Sequence, residues 1–570
     1  MLRPNGVAVR SILGRMNVAA VLMEILRSAG VRYLFGNPGT TELPFLDALP
    51  DSGLEYVLGL QEATAVAAAD GYAQAAGRVG VVNVHVAPGL ANGLSILHNA
   101  ARAKTPLVVT AGQQDTRFLM DAPILAADLV RMAEPFTKWS YELRRADEAP
   151  AALRRALKVA LTPPTGPVFL ALPMDLLRGV VEDAGGGPPE IATRSRPEPA
   201  AVARAAQLLA RARAPLVIAG DGVARSGALA PLVALAELLG ARVHGEPVYR
   251  RTNFPGDHPL WRGGLFPSPA AVGKALGESD SVLIVGANVF TWFLHTEGTP
   301  FRRELSVVQV DDDPWEIGRS YPVSLGIVAD PRETLVELTK ALATTLTDAA
   351  RTAARARAET IGRGRAESVA RVRAAAEAES QRTPIGQAYL MHALASLLPR
   401  DAVVVDESAT SLPFVLRSMP FATPASFFGS KTGTLGWGMG AAIGVQLALP
   451  GRKVVATIGD GSVMYAPQAL WTAARYRMPI TYIVPNNTSY AILKSGMLSL
   501  DLPSAKRGIF PGMDLIDPEI DYVGLAKALG VRAERVEKPG ELREVLAECL
   551  ASAGPSLVDV AIDRGFKAML

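Results

Sequence analysis

Four residues stand where their types and surroundings could do chemistry: Asp460, Asn487, Glu62 and His85. The first two belong to one unit. The apolar run KVVATI ends in Gly459-Asp460-Gly461-Ser462, a helical stretch over 466–476 follows, and ITYIVP then ends in Asn486-Asn487-Thr488. That pattern is a βαβ crossover, with Asp460 and Asn487 at the carboxyl ends of two parallel strands, where open α/β sheets bind ligands. Glycines on both sides of Asp460 let backbone approach a diphosphate, and a carboxylate with an amide oxygen suits a hard cation such as Mg²⁺. Gly-Asp-Gly alone is only a turn; the asparagine one crossover later makes it specific. Glu62 follows the run YVLGLQ and opens the Ala-rich stretch EATAVAAADGYAQAA. By itself it reads as an acid favoured in a helix's first turn by the helix dipole. His85 closes VGVVNV just before APGLANG, where a histidine is either a structural hydrogen-bonding group or a proton carrier.

Three α/β stretches position these residues. In the first, a helix over 18–30 and the strand YLFG lead to the turn Asn37-Pro38-Gly39, followed by Ala-rich helices alternating with VGVVNVHV, PLVVTAG and PVFLALP. The second repeats the pattern with PLVIAGDG, ARVHGEP, SVLIVG and LSVVQVD, and the third with AVVVDES, KVVATIGDG, ITYIVPNN and SLVDVAI. Continuous apolar runs bounded by Gly and Pro indicate parallel strands buried on both faces. The Gly/Pro-rich break AGGGPPE and an Ala/Arg/Glu-rich helical connector over 346–382 separate the stretches. The expected fold is α/β, with three consecutive doubly wound parallel-sheet domains over 16–180, 197–345 and 383–570.

Composition excludes several classes. Across 570 residues, charged residues are 20% and the net charge is +3, too little for a disordered or polyanion-binding chain. The basic cluster over 351–373 is interleaved with Glu and reads as a solvated helix, so no nucleic-acid partner is expected. Cys549 is the only cysteine, which fits a reducing compartment, and the six histidines lack zinc-ligand spacing. No apolar run is long enough to cross a membrane. The arginine-containing start MLRPNGVAVRSILGR lacks the apolar core and cleavage site of a signal peptide, so a cytoplasmic protein is expected.

GDGS, the later NN and the upstream LQEA together resemble the signature of thiamin-diphosphate enzymes, and the resemblance spans all three stretches. It implies a pyrimidine-binding, a central and a diphosphate-binding domain, in that order. Asp460, Asn487 and the carbonyl of Ser489 would complete a Mg²⁺ shell, with Gly459, Gly461, Ser462 and Tyr490 beside the diphosphate. Glu62, in a poorly solvated pocket, would share a proton with N1′ of the aminopyrimidine. The carbonyl of Gly433 would receive the 4′-amino group, and Leu435 would support the bent cofactor so that its own base and acid meet.

Within that family, FGNPGTTELPFL, ADGYAQA, NVHVAPGLANG, VTAGQQ, KWSYE, ALWTAARY and AAIGVQLALP are most similar to the benzoylformate decarboxylase branch. The resemblance implies catalytic roles for Thr40, where that branch has a serine, and for His85. A second catalytic histidine of the branch falls at Phe293 when aligned without gaps; His295 lies two residues on, and either a loop shift brings it in or the group is lacking. Phe293, Ile492 and Leu493, with Trp292 and Leu125 as further neighbours, would line the substrate pocket. The implied reaction is non-oxidative decarboxylation of an aryl or bulky 2-oxo acid to the aldehyde. The alternative keeps the cofactor and makes the chain a C–C lyase or ligase acting on aldehydes or acyl-CoA: a 2-hydroxyacyl-CoA lyase, an acyloin lyase or an acetolactate-synthase-like enzyme. Gly220-Asp221-Gly222 has no partner asparagine and is assigned no metal. The resemblance also implies a homodimer or homotetramer with active sites between subunits.

Overall fold

A computed structural model describes residues 15–183, 186–293 and 295–569. Most of the N-terminal extension, and Ala184 and Gly185 of the Gly/Pro-rich break, lie outside the described residues. Three six-stranded sheets follow one another along the chain, each with every strand pair parallel. In the first, the strands lie in the order Glu55–Leu58, Tyr33–Gly36, Gly80–Val84, Leu107–Gln113, Val168–Pro173 and Ser140–Glu142. The third sheet has the same order: Phe427–Gly429, Val403–Glu407, Val454–Ile458, Ile480–Asn486, Ser556–Ala561 and Arg532–Val536. In both, strand order reverses between the first and third strands in chain order, and that switch point opens a crevice at the strands' carboxyl ends. The middle sheet runs Trp261–Gly264, Arg242–Gly245, Pro215–Ala219, Ser281–Val285, Ser306–Asp311 and Leu325–Val328, a dinucleotide-fold order without the glycine fingerprint that such a fold uses. The doubly wound α/β expectation describes all three sheets.

The strands form where apolar residues, many of them β-branched, dominate the run. Gly80–Val84, Val168–Pro173 and Val454–Ile458 are buried throughout, as sheets covered on both faces require. The outer domains meet through the Glu62–Ala76 and Trp437–Ala448 helices, whose small residues bring the backbones together. A Cβ on Gly444 would come within 1.9 Å of the Ala68 carbonyl oxygen, so only glycine permits this approach. One apolar core therefore runs through both outer sheets, and Glu62 starts a helix clamped between them.

Several boundaries differ from expectation. The first helix ends at Ser28, and the helix expected over 466–476 is Gln468–Arg475, preceded by a separate turn of helix over Asp460–Val463. The connector is one helix, Asp348–Ala378, whose basic residues are partly structural: Arg357 and Arg365 donate to the carbonyls of Leu239 and Gly256. Among the described residues, no helix is long and apolar enough to cross a membrane.

Candidate active site

The switch point of the first sheet gathers the N-terminal group. Gly36 pairs with Asn83, so the turn after Gly36 and the end of the Gly80–Val84 strand emerge side by side. Glu62 is the first residue of its helix and is buried. Its two carboxylate oxygens accept from the side-chain amides of Asn37 at 3.1 Å and Asn92 at 2.9 Å, and among the described residues no cation pairs with it. His85 precedes Val86, a β-branched residue held at φ 36°, and such strain concentrates at functional sites.

His85 Nδ1 lies 2.7 Å from Glu42 Oε2, with the Glu42 side chain almost wholly buried. Glu42 also accepts from the backbone N–H of Gly39 at 2.9 Å and of Gly112 at 2.7 Å, and from the Thr41 hydroxyl at 2.9 Å. A Cβ on Gly112 would stand 2.0 Å from Glu42 Oε1, so the contact depends on glycine there. The carboxylate thus fixes Nδ1–H of His85, leaving Nε2, which has no hydrogen bond among the described residues, to exchange protons.

The C-terminal group sits one strand pair beyond the switch point of the third sheet, at the carboxyl ends of Val454–Ile458 and Ile480–Asn486. Asp460 and Asn487 end neighbouring parallel strands. Asp460 Oδ2 accepts from the backbone N–H of Asn487 at 3.1 Å and Ser489 at 3.4 Å, while Oδ1 accepts from Gly461 at 2.8 Å. Burial pushes the Asp460 carboxyl up to about 6, with those backbone donors only partly offsetting it. A buried carboxylate with no ion pair among the described residues, beside the amide oxygen of Asn487, fits a divalent cation. Among the described residues no cluster of three or more His, Cys, Asp or Glu side chains offers an all-protein metal site. One acid suits Mg²⁺ when phosphate oxygens supply the rest of the shell.

Gly433 and Leu435 lie in the loop that joins Phe427–Gly429 to Trp437–Ala448. Gly433 is exposed at φ 74° and Leu435 is half-buried. Glu407, at the end of the Val403–Glu407 strand that borders the sheet's switch point, accepts from Gly436 N at 2.7 Å and Gly438 N at 2.5 Å. Burial pushes the Glu407 carboxyl up to about 8 despite these bonds.

Not every expected residue joins these groups. Thr40 is exposed, and the hydroxyl 3.3 Å from His85 Nδ1 is that of Thr41. Ile492 is half-buried and Leu493 half-exposed on the Ala491–Ser499 helix, just beyond Tyr490. Phe293 and His295 are exposed, flanking Leu294, which lies outside the described residues. Among the described residues no hydrogen bond joins Glu62 or His85 to Asp460, Asn487 or Phe293. Asn37, Glu42, Asn92 and Glu407 were missed by sequence reasoning. For Glu42 one signal existed: an acid three residues after Gly39 has capping-box spacing, and it does take the Gly39 N–H.

Known proteins match all three domains. Residues 16–126 match the N-terminal TPP-binding domain of thiamine pyrophosphate enzymes, 202–338 the central domain and 409–560 the C-terminal TPP-binding domain. The chain belongs to the thiamine pyrophosphate enzyme family. It is 35% identical over 543 residues to the benzoylformate decarboxylase of Pseudomonas aeruginosa, an alignment covering 94% of this chain and 97% of that one. The crystal structure of benzoylformate decarboxylase from Polynucleobacter necessarius superposes with a TM-score of 0.86 at 31% identity, covering 97% of this chain and 100% of that one. A probable acetolactate synthase large subunit of Methanocaldococcus jannaschii is 28% identical over 561 residues, 96% of this chain and 92% of that one.

Proposed function

We propose that the chain catalyses thiamin-diphosphate- and Mg²⁺-dependent, non-oxidative decarboxylation of an aryl or otherwise bulky 2-oxo acid, releasing CO₂ and the aldehyde. The observation that carries this reading is the Glu42–His85 pair at the first sheet's switch point, beside a buried Glu62 that no cation pairs with among the described residues. When bound, the cofactor supplies an electron sink for the pair left behind as CO₂ departs. Glu62 holds a proton at the aminopyrimidine ring, and Asn37 and Asn92 keep its carboxylate aimed. Asp460, Asn487 and Ser489 hold Mg²⁺, with Gly459, Gly461, Ser462 and Tyr490 around the diphosphate. Gly433 and Leu435 orient the pyrimidine. His85 delivers the proton that replaces the lost carboxylate, with Thr40 and His295 as further polar groups near the reacting atoms. Phe293, Ile492 and Leu493 give the acyl group an apolar wall.

A second copy of the chain completes the site. Leu60, two residues before Glu62, and Met464 and Tyr465, just after the Gly-Asp-Gly turn, are 43%, 44% and 55% exposed, which leaves apolar surface beside each half-site. A homodimer or homotetramer is the resulting assembly, working on a small 2-oxo acid in the cytoplasm.

The test is to load the purified protein with thiamin diphosphate and Mg²⁺ and measure CO₂ and aldehyde from benzoylformate, its ring-substituted analogues and branched 2-oxo acids. Failure to release CO₂ from any of them overturns the reading. The likeness to an acetolactate synthase supports a second one, C–C ligation or cleavage; ligated products from pyruvate, or cleavage of a 2-hydroxyacyl-CoA, faster than decarboxylation would establish it.

A further inference from the structure

The loop carrying Gly433 and Leu435 is tied to the other two domains by a buried charge cluster. Lys431 is 6% exposed, and its ammonium donates to Asp221 Oδ2 and Glu246 Oε1, each at 2.7 Å, both in the central domain. Its backbone N–H donates to Asn99 Oδ1 of the N-terminal domain at 2.7 Å, and the Ser430 carbonyl accepts from Arg250 Nε at 2.8 Å. Asp221 further accepts from the Arg250 N–H and the Asn253 amide. Glu246 is 0% exposed and divides its oxygens. Oε1 serves Lys431 and the Asp221 N–H, while Oε2 accepts the Asn288 N–H at 2.8 Å. Asn288 opens the segment that runs through Phe290 and Trp292 to Phe293 and His295. Within it, Phe290 packs 5.2 Å from Trp292 and 5.7 Å from Phe301, which makes its start stiff.

We propose that Lys431 and Glu246 are positioning residues: a buried strut that couples the Asn288–Phe293 side of the pocket to the loop that orients the cofactor. The Gly-Asp-Gly at Gly220–Gly222, which the sequence leaves without a role, supplies the strut's third member. A buried ion triad is a weak source of net stability, because desolvation offsets the attraction; what it supplies is register. Here the registered pieces are one backbone N–H of the substrate-side segment and the loop two residues before Gly433, with a single carboxylate between them. Ordering the loop on the cofactor therefore stiffens the Asn288 segment, and an acyl group against that segment feeds back on the loop, since such coupling is reciprocal.

This proposal rests on the reading that Gly433 and Leu435 contact the cofactor, and the experiment separates the two. Amide hydrogen exchange is followed in the full-length protein with and without thiamin diphosphate and Mg²⁺. The expected result is slower exchange at 433–438 and, together with it, at 288–290. In Glu246→Gln the loop is still protected but 288–290 no longer follows. If 433–438 shows no protection in the native protein, the cofactor-site reading fails. If the loop is protected and 288–290 is not, or if 288–290 stays coupled in Glu246→Gln, the strut is overturned while the site reading stands. In steady state, Lys431→Met is expected to lower kcat about tenfold or more, Glu246→Gln to lower kcat and also raise KM for the 2-oxo acid, and the double variant to be no worse than the poorer single one. Additive effects on kcat overturn the coupling. Should either variant fail to fold, the exchange experiment on the native protein still decides.

Discussion

Glu42 and His85 face each other across the first sheet's switch point, with carboxylate and imidazole Nδ1 2.7 Å apart. The pairing fixes which ring nitrogen carries the proton and where the other points, as a buried acid does in hydrolytic triads. Glu42→Gln keeps the shape and one of the two backbone N–H contacts but removes the charge that stabilises a protonated ring. It should lower kcat about tenfold to a hundredfold, a part of what a positioned proton carrier contributes. Cofactor affinity, measured by fluorescence titration of Trp437 and its neighbours, should not change. A native kcat in Glu42→Gln removes His85 from the proton-transfer step.

The cofactor half-sites differ in how readable they were, and sequence distance explains the difference. Asp460 and Asn487 are joined by one βαβ crossover, so local pattern alone places both at strand ends. Glu42 meets His85 and Gly112 across separations of 43 and 70 residues, through a sheet order that no local pattern encodes. Lys431 and Asp221 are 210 residues apart, in different domains, and neither lies in a motif that names its partner. Thr40 and Thr41 offer the same hydroxyl one residue apart; the short helix over Thr40–Glu42 turns Thr41 inward to His85 and leaves Thr40 exposed, a difference of backbone direction that no sequence pattern encodes. Strands such as Ser140–Glu142, three residues long and only half-buried, leave no apolar run to find.

Glu62 accepts two amide hydrogen bonds and, among the described residues, pairs with no cation, as the proposed activating acid requires. Glu62→Gln preserves both size and apolar packing against the clamped helix. Turnover should fall at least about a hundredfold while thiamin diphosphate and Mg²⁺ still bind. Unchanged cofactor-dependent turnover would falsify the activating role.

Metal removal should act on binding before it acts on fold. Asp460 and Asn487 lie just past strands anchored by the full third-sheet core, so chelation by EDTA should release the cofactor and abolish activity without loss of helical circular dichroism. Mg²⁺ should restore both, and Asp460→Asn should weaken Mg²⁺-dependent cofactor binding about tenfold or more. Melting of secondary structure on chelation would show that the ion is structural.

His244, on the second sheet, has its imidazole pushed down to about 4 by burial, against the pull of its hydrogen bond to the Gly263 carbonyl. The folded chain therefore holds it neutral, while the unfolded chain protonates near 6.5. Its stabilising effect is complete above about pH 6.5 and is lost as pH falls toward 4, with a slope of at most about 1.4 kcal/mol per pH unit. Thermal midpoints between pH 7 and 4 should fall less steeply in His244→Gln than in the native chain. Parallel curves would mean that His244 is already neutral-stabilised in the unfolded state.

Phe293 and His295 divide the remaining question of substrate between packing and proton chemistry. Phe293 and Leu493 are 57% and 50% exposed in the single chain, apolar surface that a packed acyl group would remove from water. Truncation of either to Ala should raise KM for an aryl 2-oxo acid about tenfold and leave a small one such as pyruvate nearly unaffected, because a pocket discriminates by the apolar surface it removes from water. His295→Ala should instead lower kcat for aryl and small acids alike, since a proton carrier serves every acyl group equally. The two effects are separable in one panel of substrates. A kcat loss in Phe293→Ala with native kinetics in His295→Ala would reverse the assignment, leaving His85 as the proton carrier for the reaction and the 290–295 segment as wall alone.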